Sequence, residues 1–391
     1  MKGQDLKPHI GIFGRRNVGK SQFINSLTGS EVSIVSKIAG TTTDPVRKAM
    51  ELQGIGPVIL IDTAGIDDVG GLGEMRMIKT LEIIKQIDCA ILLVSNNVYG
   101  NFEETLLIRF KENDLPYLIV HNKSDEEPLK LPMKWVEFSA LTRKNLEGVL
   151  VALKNIIPDT AYQQPSLLKG IINRGEVVML ITPIDSEAPE GRMILPQVMA
   201  IRDVLDQDAV NIVVKESEAA EFLEKTGLKP ALVLTDSQVF NFVSKIIPAE
   251  IPLSSFSIAF AHMRGPFEAY VQGTKHINEL KDGDRVLMLE SCTHQVSCED
   301  IGRHKLPRWL AAFTHKSLEF EIVAGLTETK HPIGSYAMII QCGGCMITRR
   351  QVLGRLSEAI KAGIPISNYG MTIAFLNGIF ERAVAPFNKT V

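Results

Sequence analysis

The sequence predicts an α/β protein of three regions, and three observations carry that expectation. Over the first 157 residues, short continuous apolar runs (HIGIFG, PVILIDTAG, CAILLVS, YLIVHN) alternate with amphipathic stretches, the pattern of a parallel sheet covered on both faces. A glycine-rich turn from Gly14 to Ser21 joins the first of these runs to a helical pattern from Lys20 to Leu27. The chain has 391 residues, 45% hydrophobic and 22% charged, an ordinary globular balance long enough for two or three domains.

Residues 1–157 form the first expected domain. The polar segment PDTAYQQPS, with Pro158 at its start, reads as a linker. Residues 167–263 carry three strand-like runs, VVMLITPI, NIVVK and ALVLTD, separated by helical patterns from Gln197 to Asp206 and Glu216 to Lys225; they predict a smaller α/β domain without a catalytic motif. Residues 266–391 open on the turn NELKDGDR and the strand-like VLMLE, and end in two helix-like segments, VLGRLSEAIKAG and GMTIAFLNGIFERA. This third α/β region holds four of the five cysteines.

Lys and Arg total 42 against 45 Asp and Glu, so the net charge of −3 gives no reason to expect nucleic-acid binding. No run reaches the ~18 apolar residues of a membrane span, and MKGQDLKPHIGIFG lacks a signal-peptide core. Few, odd-numbered cysteines argue against a disulfide scaffold. The expectation is a cytoplasmic protein in a reducing compartment, bound to neither membrane nor nucleic acid.

GRRNVGKS matches G-x-x-x-x-G-K-[ST] between a strand and a helix, the context a P-loop requires. Gly14, Val18 and Gly19 would present backbone N–H groups to phosphates, Lys20 would reach the β and γ phosphates, and Ser21 would hold Mg²⁺. Asp62 and Gly65, in ILIDTAG, suit an Mg²⁺-bound water and a γ-phosphate contact. Asn122, Lys123 and Asp125, in NKSD, follow a strand; Asp125 can accept from N1 and N2 of guanine, which adenine cannot offer, so the nucleotide is GTP. Ser139 and Ala140 are similar to the last guanine-contacting loop. Together these elements resemble the G domain of GTPases of the TrmE and Era type over residues 8–157. That resemblance implies a K⁺ ion coordinated by Asn17, which otherwise reads as a polar loop residue. It also implies that AGTTTDP is switch I, with Thr42 on Mg²⁺ and Thr41 and Thr43 as rivals. Ile66 stands where Ras-like proteins place a water-orienting Gln, so slow intrinsic hydrolysis is expected.

Cys292-Thr-His294 and Cys342-Gly-Gly-Cys345 each follow a strand-like run, and thiolates at such spacing suit iron–sulfur or zinc ligation. A lone CxxC leaves a zinc knuckle, a redox dithiol and buried structural thiols open. A G domain followed by CxH, a long spacer and CxxC resembles the HydF family of [FeFe]-hydrogenase maturation GTPases. The resemblance implies a middle dimerisation domain and a last domain binding a [4Fe-4S] cluster. It implies partners in two radical-SAM maturases and apo-hydrogenase, which would receive a di-iron precursor from a homodimer or higher homo-oligomer. Cys292, Cys342 and Cys345 are the implied ligands. Gln341 replaces the family's His before CxxC, leaving the fourth iron position to His294, Cys298, Asp300, water or an exogenous group. The rival reading is a TrmE- or Era-like RNA-linked GTPase with a C-terminal zinc module. Cys89 reads as a buried strand residue, and RHKLPRWL as a solvated helix start or a docking surface.

Overall fold

The computed structural model describes residues 7–28, 46–63, 80–126, 134–158, 161, 166–184, 193–291, 301–325 and 329–388. They fall into two compact units, residues 1–164 and 165–391. Among the described residues, no helix is long and apolar enough to cross a membrane.

The first unit is built on six strands: β1 (His9–Gly14), β2 (Val46–Leu52), β3 (Gly56–Asp62), β4 (Cys89–Val94), β5 (Tyr117–His121) and β6 (Val136–Glu137). Their order is β2-β3-β1-β4-β5-β6. β1 and β4 are buried at every position, as their unbroken apolar sequences demand at the centre of a doubly covered sheet, and Cys89 is one of those buried residues. All pairs run parallel except β2 with β3. β2, VRKAMEL, is a mostly exposed edge strand, and its scattered polar residues give no strand signal in the sequence. The helices α1 (Lys20–Thr28), α2 (Asn101–Glu112) and α3 (Leu146–Ile156) pack around the sheet, leaving one apolar core on each face.

The second unit holds two four-stranded parallel sheets. One comprises β7 (Val177–Ile181), β8 (Val210–Val214), β9 (Leu232–Thr235) and β10 (Leu253–Ser255), in the order β10-β9-β7-β8. Its helices are α4 (Leu195–Asp206), α5 (Ala219–Thr226), α6 (Phe240–Ile246) and α7 (Phe256–Arg264). The other comprises β11 (Arg285–Glu290), β12 (Glu319–Ala324), β13 (Met338–Gln341) and β14 (Ile366–Asn368), in the order β12-β11-β13-β14. With it go α8 (Phe267–Thr274), α9 (Leu306–Thr314), α10 (Arg349–Lys361), α11 (Tyr369–Leu376) and α12 (Phe380–Val384). The boundary expected at 263–266 coincides with the end of α7 and Pro266. It is not a break in packing: one continuous core runs from Leu167 to Phe387 and takes in both sheets. The last helix-like segment, 370–383, divides at Asn377-Gly378, where glycine adopts φ 69° and ends α11.

Candidate functional site

The loop between β1 and α1 brings Gly14, Asn17, Val18, Gly19, Lys20 and Ser21 into one turn. Gly14 (φ 149°), Asn17 (φ 63°) and Gly19 (φ 94°) supply the left-handed conformations that curl the backbone around a central space. Lys20 Nζ donates to the carbonyls of Gly14 and Arg15, at 2.8 Å each, so its ammonium lies inside the turn. α1 begins at Lys20 and directs its N-terminus at the same place. A β-carbon on Gly19 would collide with the buried Asn122 amide, which excludes a side chain there.

Asp62 pairs in register with Ile12 of β1, two residues before the turn. Burial raises its carboxyl above the usual range, against the opposing pull of Lys20 and Lys48. Its Oδ1 is buried without a hydrogen-bond partner. A buried acceptor beside Lys20 fits a hydrated Mg²⁺, to which Asp62 and Ser21 would contribute oxygens. Thr42 and Gly65 lie outside the described residues.

The base-recognition residues are assembled by Asn122. It is fully buried; Nδ2 donates to the Val18 carbonyl at 2.9 Å and Oδ1 accepts from Ala140 N at 3.0 Å. One amide thus ties the phosphate loop to the Ser139-Ala140 loop. Lys123 adopts φ 61°, turning the chain so that Asp125 follows at the surface. A hydrogen bond from the Ser139 hydroxyl, with its own backbone N–H, holds the Asp125 carboxyl below its usual range, so it stays ionised and ready to accept. The sequence also missed a brace. Arg15 makes a two-pronged ion pair with Glu103 of α2, at 2.7 and 2.8 Å, and Glu103, only 1% exposed, also accepts from Gly100 N at 2.9 Å. Separation by 88 residues leaves no local signal for it.

A second constellation lies at the C-terminal edge of the last sheet, where ligands sit in open parallel sheets. Cys342 continues β13, its N–H donating to Leu289 O at 2.9 Å, and Gly344 (φ 68°) turns the chain to Cys345. Cys342 and Cys345 are thiols. Burial pushes the Cys342 thiol up, while hydrogen bonds from Ser291 and Gly344 pull it back. Ser291, the last described residue before Cys292, places its N 3.1 Å and its Oγ 3.0 Å from Cys342 Sγ. Arg264, 2% exposed at the end of α7, points one guanidinium nitrogen at the carbonyls of Gly344 (2.7 Å), Cys345 (3.1 Å) and Ile347 (2.6 Å). Arg355 donates to Glu290 O and Val323 O, both at 2.8 Å, fixing the ends of the two neighbouring strands. Among the described residues no three His, Cys, Asp or Glu side chains converge as a metal group. Cys292, His294, Cys298 and Asp300 lie outside the described residues. The two thiols on a rigid glycine loop, with N–H groups aimed at one sulfur, nonetheless fit a thiolate-bound cluster in donor chemistry.

Residues 167–265 match the hydrogen maturase F dimerization domain, and residues 268–386 match the hydrogen maturase F tetramerization domain. The two matches together take in more than half of the chain. The chain belongs to the hydrogen maturase F family. Residues 9–123 match the model of the 50S ribosome-binding GTPase family, so this HydF-family chain opens with a GTPase domain. The tRNA modification GTPase MnmE of Nitrosomonas europaea is 46% identical over 117 residues, covering 29% of this chain and 25% of that protein. MnmE of Legionella pneumophila is 39% identical over 160 residues, covering 40% and 35%. The chain therefore spans a quarter to about a third of the length of these curated relatives. Among solved structures, a variant of Aquifex aeolicus Era bound to GDP.AlF4- is 19% identical with a TM-score of 0.34, covering 56% of this chain and 98% of that one. The G domain of the T. maritima FeoB iron transporter is 18% identical with a TM-score of 0.31, covering 39% and 99%.

Proposed function

We propose that this HydF-family chain is a GTP-hydrolysing scaffold in [FeFe]-hydrogenase maturation. It holds a [4Fe-4S] cluster on Cys292, Cys342 and Cys345, with His294 a candidate fourth ligand, and passes a di-iron precursor to apo-hydrogenase. Its partners are then the radical-SAM maturases and the hydrogenase, in the cytoplasm. The observation that carries the reading is the half-buried Cys342 thiol on a loop clamped by Arg264, in a chain that carries a GTPase domain. A bound cluster would supply an iron site able to accept a bridging ligand from a second cluster. This chain's own part is to fix the loop and to aim N–H groups at the Cys342 sulfur.

GTP would sit between the Lys20 loop and Asp125. Asn17, its backbone already left-handed, would offer its side-chain oxygen to a K⁺ ion beside the phosphates, supplying charge that an arginine finger provides elsewhere. Hydrolysis would change contacts with partners by ordering or releasing the switch segments, and would do no cluster chemistry.

Anaerobic purification with iron, sulfide and zinc analysis tests this reading. The expected result is about four irons per chain in the wild type and less than a tenth of that in Cys342→Ala. Zinc in place of iron would favour the RNA-linked rival, and a metal-free protein the redox dithiol.

We infer an association face on α4 and β8. Leu195, Val198 and Leu205 are exposed along one side of α4, and Val210 and Val213 are exposed on opposite faces of the edge strand β8. An apolar helix stripe and an edge strand that pairs on one side alone among the described residues suit a second copy adding its own β8. Val198→Asp with Leu205→Glu should leave folding intact, because both positions are exposed, yet weaken self-association at least tenfold by light scattering. An unchanged mass at low micromolar concentration would place the interface elsewhere.

A further inference from the structure

We propose that Ser291 and Gln341 are positioning residues whose hydrogen bonds to the Cys342 sulfur set the reduction potential of the cluster it ligates, an inference that rests on the cluster reading above. Position 341 thus acts by its N–H and not as an iron ligand.

The geometry converges on one atom. Ser291 N lies 3.1 Å, Ser291 Oγ 3.0 Å and Gln341 Nε2 3.4 Å from Cys342 Sγ, and Gly344 N–H bonds the same sulfur. The Gln341 amide is locked in this orientation. Nε2 also donates to Ser291 Oγ at 3.1 Å and to the Cys342 carbonyl at 3.3 Å, the latter an acceptor only. Oε1 is buried with no partner, in a residue 1% exposed. Reversing the amide would set a carbonyl oxygen against the Cys342 carbonyl, acceptor facing acceptor, and would lose the bond to the sulfur, leaving only the Ser291 hydroxyl able to donate to it. Ser291 accepts from the thiol; once the sulfur binds iron, its hydroxyl can rotate and donate back. β11 and β13 lie side by side with Leu289 opposite Gln341, so the two donors arrive from neighbouring strands of one rigid sheet.

Donors on a cluster sulfur withdraw electron density and favour the reduced, more negative state. Both donor residues are themselves buried, which shields their bonds from competing water and enlarges their influence. Removing either side chain should therefore leave the cluster bound and make it harder to reduce.

The test is a redox titration of anaerobically reconstituted full-length protein, read by the electron paramagnetic resonance signal of the reduced cluster. In Ser291→Ala and Gln341→Leu, iron per chain should match the wild type. At the wild-type midpoint, the oxidised-to-reduced ratio should rise at least threefold, about 30 mV given 59 mV per tenfold for one electron. Ser291→Thr, which keeps the hydroxyl, should titrate like the wild type, which a merely structural role for the position would not require. Wild-type potentials in both Ser291→Ala and Gln341→Leu overturn the proposal. So does loss of iron in Gln341→Leu, or loss of a nitrogen hyperfine coupling, since either makes Gln341 a ligand. A wild-type protein that takes up no iron would instead sink the cluster reading itself, before any potential is measured.

Discussion

Asp125→Asn is expected to exchange the nucleotide preference of the first unit, with GTP binding falling roughly 10²- to 10⁴-fold and xanthosine triphosphate taking its place. The reason is donor and acceptor count. An ionised Asp125 offers only acceptors to the N1–H and N2–H₂ of guanine. An amide puts an N–H₂ opposite one of them, a donor facing a donor. Xanthine carries an oxygen where guanine has N2, and accepts what the amide offers. The Ser139 hydroxyl and the Asn122 brace do not depend on the Asp125 charge to stay folded, so the loop should present the new amide in the place of the carboxylate. Competition binding with both nucleotides decides it. A variant that keeps its guanine preference within about threefold would show that Asp125 does not read the base.

Arg264→Met should destabilise the second unit by about 3–5 kcal/mol and strip the thiol loop of its shape. Arg264 is 2% exposed, and its terminal nitrogen satisfies the carbonyls of Gly344, Cys345 and Ile347 while its guanidinium lies 5.2 Å from the Phe260 ring centroid. Methionine fills much of the volume and donates nothing, taking a donor from three carbonyls and leaving Gly344 O only its 3.3 Å bond from Ile347 N. For a unit of this size, that loss corresponds to a fall in melting temperature of roughly 6–20 °C. Because the carbonyls belong to the loop between Cys342 and Arg349, iron uptake should fail even below the melting transition. A melting temperature within about 2 °C of the wild type, with full iron uptake, would remove Arg264 from this role.

What the sequence disclosed was whatever is local. GRRNVGKS, DTAG, NKSD and CGGC each compress a site into a few adjacent residues, and the described ones lie where strand–loop–helix logic puts them. Asn122 shows the limit of that logic: NKSD marks it as a nucleotide residue, yet its side chain joins Val18 to Ala140 across 104 and 18 residues. Arg15 with Glu103, Arg264 with the thiol loop, and Ser291 with Cys342 are separated by 88, 80 or more, and 51 residues, so nothing near any of them in sequence names its partner. β2 escaped for a different reason, since a half-exposed edge strand needs neither unbroken apolarity nor strict alternation. The division of the last helical segment was missed although its signal is local: Asn377-Gly378 is a helix-ending pair, and the apolar residues on either side read as one continuous helix.

The shared core of the second unit has a mechanical meaning. A sheet whose edge suits pairing with another copy and a sheet whose rim carries the thiol loop are cast as one solid piece, and α7 is the strut between them: it begins after β10 and ends in Arg264. On the proposed pairing through β8, the alignment of two copies would be passed through this shared core to the direction in which each Cys342 faces.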